Sequence, residues 1–198
     1  MMTKALITPL TTSDVESLRC GDVVYISGIV ITARDQAHRR IAQLLNEKKE
    51  LPVNLNGLPV YHAGPVVRFK NGTWEVLAIG PTTSSRMTYY VKDLVCKAGV
   101  KMIIGKGGMG PEALEAFREC KCVYCSYTGG AAVLAATSIK RVIDVKWLDL
   151  GVPEAMWILE VEKFGPLLVT MDCQGKSLYS DIEAHIRESM SRALELFS

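Results

Sequence analysis

The chain has no long apolar run and almost no surplus charge. No stretch approaches the roughly 18 to 20 uninterrupted apolar residues of a membrane-spanning helix, and the start, Met1-Met2-Thr3-Lys4-Ala5, has no signal-peptide core. The formal net charge is only +2, whereas nucleic acid and anionic membranes favour clustered positive charge. Repeats and low-complexity tracts are also missing. We therefore expect a soluble, cytoplasmic protein that binds neither nucleic acid nor membranes.

The sequence gives little reason to expect disulfides. Its six cysteines are even in number, but without a secretory signal an even count is poor evidence for pairing. Cys20, Cys96 and Cys173 stand apart among apolar or turn residues. We interpret these three as single thiols, either buried or at the surface.

The other three cysteines form a Cys-x-Cys-x-x-Cys cluster at Cys120, Cys122 and Cys125. Three thiolates could ligate zinc or an iron-sulfur cluster, but the spacing matches neither the bacterial ferredoxin run nor paired zinc knuckles. The segment from Cys122 to Cys125 is also typical of a short buried strand, in which Cys122 and Val123 point to opposite faces. We favour the structural role and keep the metal site as an alternative hypothesis.

The chain has enough apolar residues to form a sizeable core. It has 198 residues, 48% of them hydrophobic, and its one candidate linker, Leu51 to Leu58, is too short to separate domains convincingly. Strand-like and helix-like patterns alternate, and Asn71-Gly72 predicts a β-hairpin. We predict a single α/β domain over residues 1–198, with helices covering a mixed sheet. The predicted elements include strands at Asp22 to Ile26, Val66 to Phe69, Thr73 to Ile79, Val142 to Val145, Trp157 to Val161 and Leu167 to Met171, and a closing helix at Ile182 to Leu196.

Two cationic turns are the most informative feature. The first is Gly80-Pro81-Thr82-Thr83-Ser84-Ser85-Arg86, and the second is Gly105-Lys106-Gly107-Gly108. Each follows an apolar strand-like run, exposes backbone N–H groups through glycine and carries one fixed cation, at the place where α/β folds bind ligands. Together they predict a site for a small anion.

Within the first turn, Thr82 and Thr83 lie where a helix is expected to begin. Their hydroxyls could cap that helix or face a ligand, and a helix start favours negative charge. Arg86 would share a face with them and could grip a carboxylate through two bonds, while Lys106 adds a point charge. The alternative is a capped helix with solvated Arg86 and Lys106.

A third cation lies at another junction between a strand and a helix. In Thr32-Ala33-Arg34-Asp35-Gln36-Ala37-His38, Asp35 is available to cap the helix or to orient Arg34, and His38 lies one turn further on. For His38 we favour a structural role, such as a hydrogen bond across the helix start, over catalysis. Arg34, Arg86 and Lys106 would be enough to neutralise a dicarboxylate.

Four motifs in order carry a family resemblance. They are Ala33-Arg34-Asp35-x-Ala37-His38, His62-Ala63-Gly64-Pro65, Gly80-Pro81-Thr82-Thr83-x-x-Arg86-Met87 and Ile104-Gly105-Lys106-Gly107-Gly108-Met109. From about Thr8 to about Asp172 the chain resembles the β subunit of class I, iron-sulfur-dependent fumarases and of the closely similar L(+)-tartrate dehydratases. The resemblance implies a swivelling-type β/β/α domain, present either as a separate subunit or as the carboxy-terminal domain of a longer chain.

The resemblance also implies roles for individual residues. A 4Fe-4S cluster is expected on an α partner subunit, with no metal held by this chain and no assigned role for Cys120, Cys122 or Cys125. Thr82 corresponds to the proton-transferring hydroxyl. Substrate binding is implied for Arg34, Thr83, Arg86 and Lys106, with possible support from Asp35, His38, Gly80, Gly105 and Gly107.

These observations lead to an expected function. The chain would be the β subunit of a heteromeric fumarate hydratase, active only with its α partner in a higher hetero-oligomer, and would act on a small dicarboxylate. L(+)-tartrate dehydratase is the second candidate, and a noncatalytic anion-binding assembly subunit is the third. His62, near a motif turn, and His185, on a charged helix, are expected to have structural or surface roles.

Overall fold

Strands and helices alternate along the chain in a computed structural model that describes residues 2–195, with side chains described to residue 190. The strands are β1 Thr3–Ile7, β2 Val23–Thr32, β3 Pro59–Tyr61, β4 Val66–Lys70, β5 Thr73–Ala78, β6 Met102–Gly105, β7 Val123–Ser126, β8 Ile139–Lys146 and β9 Met156–Met171. The α-helices are α1 Thr12–Glu16, α2 Asp35–Asn46, α3 Thr88–Lys92, α4 Pro111–Cys120, α5 Ala132–Thr137 and α6 Leu178–Glu195. Short 3₁₀ turns cover Ser84–Met87 and Leu148–Leu150, and a π-helical turn covers Asp93–Lys97.

The main sheet closes on itself. Strands β2, β3, β6 and β7 run parallel in that order, and β9 pairs antiparallel with both β7 and β2. These five strands therefore form a closed barrel. β1 extends the barrel wall beside β2, β8 extends it beside β9, and β4 and β5 form a separate hairpin.

A bend in β2 accompanies this closure. The register between β2 and β9 shifts twice, between Val24 and Ile26 and again between Ile26 and Gly28. Gly28 has a φ of +107°, and a Cβ there would overlap Thr8. Glycine is required at this irregularity because its backbone reaches a conformation and a closeness that other residues do not.

The barrel wall separates two apolar layers. Alternate residues of a strand point to opposite faces, so Tyr61, Ile104 and Cys125 pack in one cluster with Trp157 and Leu159. Their chain neighbours Val60, Ile103 and Tyr124 belong to a second cluster with residues of α2, α3 and α4. The first layer fills the barrel, and the second fixes these three helices to its outside.

The predicted fold class is confirmed as mixed α/β, but the sequence pattern did not predict the closed barrel. The Asn71-Gly72 hairpin is confirmed, with both turn residues at positive φ. One continuous strand, β9, replaces two predicted strands, because the antiparallel pairing with β2 continues through the intervening residues. Leu196, the predicted end of the last helix, lies outside the described residues. Among the helices described, none combines the length and the apolar character needed to cross a membrane.

The cysteine predictions need one correction. Cys96 and Cys120 form a disulfide, with a Cα–Cα distance of 5.3 Å, although Cys96 was predicted to be a single thiol. The π-helical turn contacts α4, and this tertiary contact leaves no trace in the local sequence. Cys122 and Cys125 are both buried, but they belong to the two different apolar layers. Cys120, Cys122 and Cys125 therefore do not form a three-thiolate site.

Candidate active site

Three of the motifs meet at one end of the barrel because the strands that precede them are parallel neighbours. Thr32 of β2 is paired with Tyr61 of β3, and Tyr61 is paired with Ile104 of β6. Arg34, His62 and Lys106 follow these strands within a few residues. The carboxyl ends of parallel strands lie at the same sheet edge, which is the usual ligand-binding edge in α/β folds.

The fourth motif, Gly80 to Arg86, lies between the ends of β3 and β6. Thr82 N–H donates to the His62 carbonyl at 2.6 Å, Lys106 N–H to the Thr82 carbonyl at 3.3 Å, and Ser84 N–H to the Lys106 carbonyl at 3.0 Å. Isolated bridges also pair Ala63 with Pro81 and Thr83 with Lys106. The two cationic turns are therefore joined directly by backbone hydrogen bonds.

This arrangement leaves fewer backbone N–H groups available to an anion than the two turns predicted. The N–H groups of Thr82, Ser84 and Lys106 are already bonded to protein carbonyls. The segment after Thr83 begins as the 3₁₀ turn Ser84–Met87, and Thr83 makes no side-chain cap bond to it within the described residues. The attraction for an anion therefore comes mainly from the cationic side chains.

Arg86 is held by two side chains. Its Nε and Nη2 donate to Asp35 Oδ1 and Oδ2 at 3.0 and 2.9 Å, and Nη2 also donates to Thr82 Oγ1 at 3.0 Å. The hydrogen bonds from Arg86 lower the pKa of Asp35, and those to Asp35 raise the pKa of Arg86. Asp35 thus orients Arg86 rather than Arg34, which differs from the expectation. Arg86 contacts Thr82, as their spacing led us to expect, but Thr82 and Thr83 precede the helical segment that begins at Ser84 and so do not share a helix face with Arg86.

Arg34 has a different carboxylate, Glu154. Its Nε lies 3.2 Å from Glu154 Oε1, and the other oxygen, Oε2, accepts a hydrogen bond from Gln36 N–H at 2.9 Å. The Nε atom is buried, and in the described part of the chain no acceptor lies in line with its N–H, so the contact with Glu154 is an ion pair rather than an aligned hydrogen bond. The Arg34 side chain is 28% exposed, so part of it stays open to a ligand.

Lys106 differs from the two arginines in having no carboxylate partner among the described residues. It is exposed. A Cβ at Gly129 would lie 3.5 Å from its Cδ and 3.7 Å from its Nζ. The Lys106 side chain therefore lies beside the glycine turn that follows β7, with its charge available to an anion.

Two buried histidines lie beneath these groups. The predicted hydrogen bond of His38 across the helix start is confirmed, since its Nδ1 lies 2.9 Å from the Arg34 carbonyl oxygen. His62 Nδ1 bonds to Ser84 Oγ at 2.9 Å, and the two imidazole rings meet edge to face with centroids 4.9 Å apart. Burial lowers the pKa of His38 to about 4 and lowers that of His62 well below its ordinary value. Both rings are therefore neutral near pH 7. His185 is exposed on α6, as expected.

The motif glycines serve close packing. A Cβ at Gly105 would overlap the Ser84 hydroxyl, which accepts a hydrogen bond from Tyr124 at 3.0 Å. A Cβ at Gly80 would lie 3.1 Å from the Ala132 side chain. Gly107 has a φ of +73°, a left-handed conformation that favours glycine. Gly80 and Gly105 thus bring neighbouring elements together behind the site.

The resulting surface can bind a dianion and hold one hydroxyl beside a cation. Arg34, Arg86 and Lys106 supply positive charge, and Thr82 supplies the hydroxyl. Sequence reasoning missed Glu154 and the Ser84–Tyr124 pair. Ser84 lies inside a motif and could have been noticed. Glu154 is 120 positions from Arg34 by residue number, and no local pattern marks it.

Comparisons with known proteins show the family to which the chain belongs. The family described as Fumarase C-terminus matches residues 3–182. The chain is 41% identical over 180 residues to the L(+)-tartrate dehydratase subunit beta of Escherichia coli strain K12, covering 91% of this chain and 88% of that protein. A Methanocaldococcus jannaschii protein named "Putative L(+)-tartrate dehydratase subunit beta" is 43% identical, covering 94% and 96%. A Geobacillus stearothermophilus protein named "Putative fumarate hydratase class I" is 44% identical, covering 94% of this chain and 35% of that protein. With these matches spanning nearly its whole length, the chain belongs to the Fumarase C-terminus family, together with the β subunits of tartrate dehydratase-type hydro-lyases.

Proposed function

We propose that the chain is the β subunit of a cytoplasmic, heteromeric hydro-lyase that interconverts fumarate and (S)-malate by reversible addition of water. The observation that supports the proposal is that Arg86 bonds to the Thr82 hydroxyl, while Arg34 and Lys106 follow parallel strands at the same end of the barrel. Under this proposal the chain is a single swivelling-type domain over residues 1–198, and it forms half of an active site.

The three cations would bind the two carboxylates of the substrate. Arg86 is already oriented by Asp35, so its guanidinium presents a fixed edge to a carboxylate without losing much side-chain freedom on binding. Arg34 is paired with Glu154 through a single contact at Nε. Lys106 adds a point charge. Because Asp35 and Glu154 offset part of the positive charge of the two arginines, the dianion would be bound by the remaining guanidinium N–H donors together with the charge of Lys106.

Thr82 would transfer the proton at the substrate carbon. A threonine hydroxyl is a poor base at its ordinary pKa, but a neighbouring guanidinium favours the anionic oxygen. Arg86 Nη2 donates to Thr82 Oγ1 at 3.0 Å. His38 and His62 are buried and neutral, and in this proposal they support the site rather than take the proton.

The proposal places a 4Fe-4S cluster on an α partner. The cysteines of the described chain do not fit a cluster, because Cys120 is disulfide-bonded and Cys122 and Cys125 occupy different layers. On the partner, such a cluster would supply a Lewis-acidic iron to the substrate hydroxyl. The naming of relatives as β subunits supports a hetero-oligomer that includes such a partner.

L(+)-tartrate dehydratase is the second candidate. Two relatives that cover most of this chain and most of their own length carry that name. Tartrate also presents two carboxylates, so the same three cations would bind it. In this case the reaction is the elimination of water from tartrate to give oxaloacetate.

The deciding experiment is anaerobic copurification with an α chain, followed by parallel assays with fumarate, (S)-malate and L(+)-tartrate. Turnover of fumarate and (S)-malate without turnover of tartrate supports the leading proposal, and the reverse pattern supports the second candidate. Arg86→Ala tests participation of the site, with Arg68→Ala as a matched control, since Arg68 forms an exposed ion pair with Glu75 on the hairpin. If Arg86→Ala and Thr82→Ala both retain full activity, the chain is a noncatalytic assembly subunit.

A further inference from the structure

Arg34 is held in place from two sides by residues of other segments. One is Glu154, in the loop that precedes β9, and the other is Gly64, in the His62-Ala63-Gly64-Pro65 motif. Neither residue belongs to the set that would bind substrate. Glu154 contacts Nε of Arg34 and Gly64 leaves room beside its Cδ, while 28% of the Arg34 side chain stays exposed.

Glu154 joins two groups at the start of α2. Its Oε2 accepts from Gln36 N–H at 2.9 Å, and its Oε1 lies 3.2 Å from Arg34 Nε. The Glu154 backbone is itself fixed, because its N–H donates to the Gly151 carbonyl at 3.0 Å. The following residue, Ala155, bonds to the same carbonyl at 2.9 Å. The carboxylate is therefore presented from a rigid turn.

Gly64 supplies the other side. A Cβ at this position would overlap the Pro153 backbone at its carbonyl oxygen and would lie 3.0 Å from Arg34 Cδ. Because Gly64 has no side chain, the aliphatic part of Arg34 and the Pro153 backbone can both pack against it. This gives Gly64 a packing reason that involves both Arg34 and the Pro153 backbone.

Each of the two arginines has its own carboxylate partner, although the charge of Glu154 also helps to raise the pKa of Arg86. Asp35 follows Arg34 directly in the chain and feels its charge, yet both carboxylate oxygens of Asp35 are bonded to Arg86. Without Glu154, the buried Arg34 Nε would lose its nearest anion, and Asp35 would be the adjacent replacement. One carboxylate for each arginine keeps the two guanidinium groups in separate orientations.

We propose that Glu154 and Gly64 are positioning residues that fix Arg34 for carboxylate binding. The reaction in which Arg34 takes part is the one given under Proposed function, and the kinetic test rests on it. Glu154→Gln is the informative variant, because the amide oxygen can still accept from Gln36 N–H while the negative charge facing Arg34 is removed. Glu75→Gln is the matched control, since it removes the charge from an exposed Arg–Glu pair on the hairpin.

In the active α–β complex, Glu154→Gln is expected to raise KM for the dicarboxylate roughly tenfold with little change in kcat, because a binding group is misplaced by a small distance. In an Arg34→Ala background the same substitution is expected to change KM by less than about twofold, because its effect acts through Arg34. Equal effects in the two backgrounds would contradict the proposal. Glu75→Gln is expected to leave both constants unchanged.

A second measurement does not depend on the reaction. The order parameter of the Arg34 Nε–H vector, measured by ¹⁵N relaxation on the full-length chain, is expected to fall from a rigid value near 0.8 to below about 0.6 in Glu154→Gln. Gly64→Ala is expected to lower it as well, with a cooperative unfolding transition confirming that the variant is folded. An unchanged order parameter in folded Glu154→Gln overturns the positioning role. A wild-type complex that turns over neither fumarate nor tartrate contradicts the proposed function alone, and the order parameter then decides the role of Glu154.

Discussion

Asp35 and Arg86 meet through two hydrogen bonds, Nε to Oδ1 at 3.0 Å and Nη2 to Oδ2 at 2.9 Å, although 51 positions separate them in the chain. This pairing joins the start of α2 to the turn that carries Thr82. It also fixes the direction in which the Arg86 guanidinium faces the site. Its electrostatic effect can be measured directly.

Removal of Arg86 is expected to raise the pKa of Asp35 towards its ordinary value. In the wild-type protein the hydrogen bonds from Arg86 lower this pKa, so the pairing stabilises the fold above the ordinary carboxyl pKa. That contribution is lost as the pH falls through the depressed value. ¹³C NMR titration of the Asp35 carboxyl carbon in wild type and Arg86→Ala tests this. The control is Arg68→Ala, in which the pKa of Asp35 should equal that of the wild type. If the pKa of Asp35 is the same in wild type and Arg86→Ala, or if it changes in Arg68→Ala, the Asp35–Arg86 pairing is not what lowers it.

Thr82→Ala is expected to lower kcat of the active complex by about 10² to 10⁴, the usual contribution of a positioned proton-transferring group. KM should change much less, because the three cations remain. Thr82→Ser keeps the hydroxyl and is expected to retain most of the activity. Thr73→Ala is the control. It removes a threonine hydroxyl that donates to the Lys70 carbonyl on the hairpin, away from the candidate site. A Thr82→Ala variant with normal kcat would remove Thr82 from the mechanism.

The buried imidazole of His38 makes the fold sensitive to mild acid. Its pKa is lowered from 6.5 to about 4 by burial, so the unfolded chain binds the proton more readily between these values. The contribution of neutral His38 to the free energy of unfolding is therefore fully present above about pH 6.5. It falls as the pH is lowered towards 4. From pH 7 to pH 5 the loss attributable to His38 is about 2 kcal/mol.

Urea unfolding at these two pH values measures the effect. His38→Gln, which can still donate to the Arg34 carbonyl, is expected to show a smaller loss than wild type by about that amount. His185→Gln is the control, since His185 is exposed on α6. An identical pH dependence in wild type and His38→Gln would show that His38 is not the group responsible.

The disulfide between Cys96 and Cys120 is expected to stabilise the chain. It joins residues 24 positions apart. Closing a loop of that length lowers the entropy of the unfolded chain and so raises its free energy by about 3 kcal/mol. Urea unfolding with and without a thiol reductant should show this loss in the wild type. Cys96→Ala is expected to be equally destabilised and insensitive to reductant, whereas Cys20→Ser should behave as the wild type. Mass spectrometry after alkylation without reductant checks that the bridge is present.

Much of the site could be predicted because its residues belong to local patterns. Arg34 and Lys106 follow parallel strands of the barrel, and parallel strands bring such positions to one edge. Arg86 instead follows the separate hairpin and reaches that edge through the backbone bonds of the Gly80 to Arg86 motif. The relation of Thr82 to Arg86 followed from their spacing of four residues. The hairpin was predictable for the same reason, since the Asn-Gly turn determines its own geometry.

The features that were missed all join distant parts of the chain. Barrel closure depends on the pairing of β2 with β9, as between Val30 and Leu159, and no periodicity in either strand identifies its partner. The Arg34–Glu154 pair and the Cys96–Cys120 bridge are of the same kind. Asp35 was expected to cap the helix or to orient Arg34, because the two residues are adjacent. It pairs instead with Arg86, whose guanidinium can bond to both carboxylate oxygens at once.

The backbone bonds between the two cationic turns have a consequence for how this family can diversify. Because Thr82 and Lys106 are linked through main-chain atoms, their spacing is insensitive to side-chain substitution elsewhere in the chain. Under the proposed function, this half of the site could stay unchanged while the partner subunit comes to accept a different number of substrate hydroxyls. Hybrid enzymes that combine this chain with partners taken from relatives are then expected to show the substrate preference of the partner.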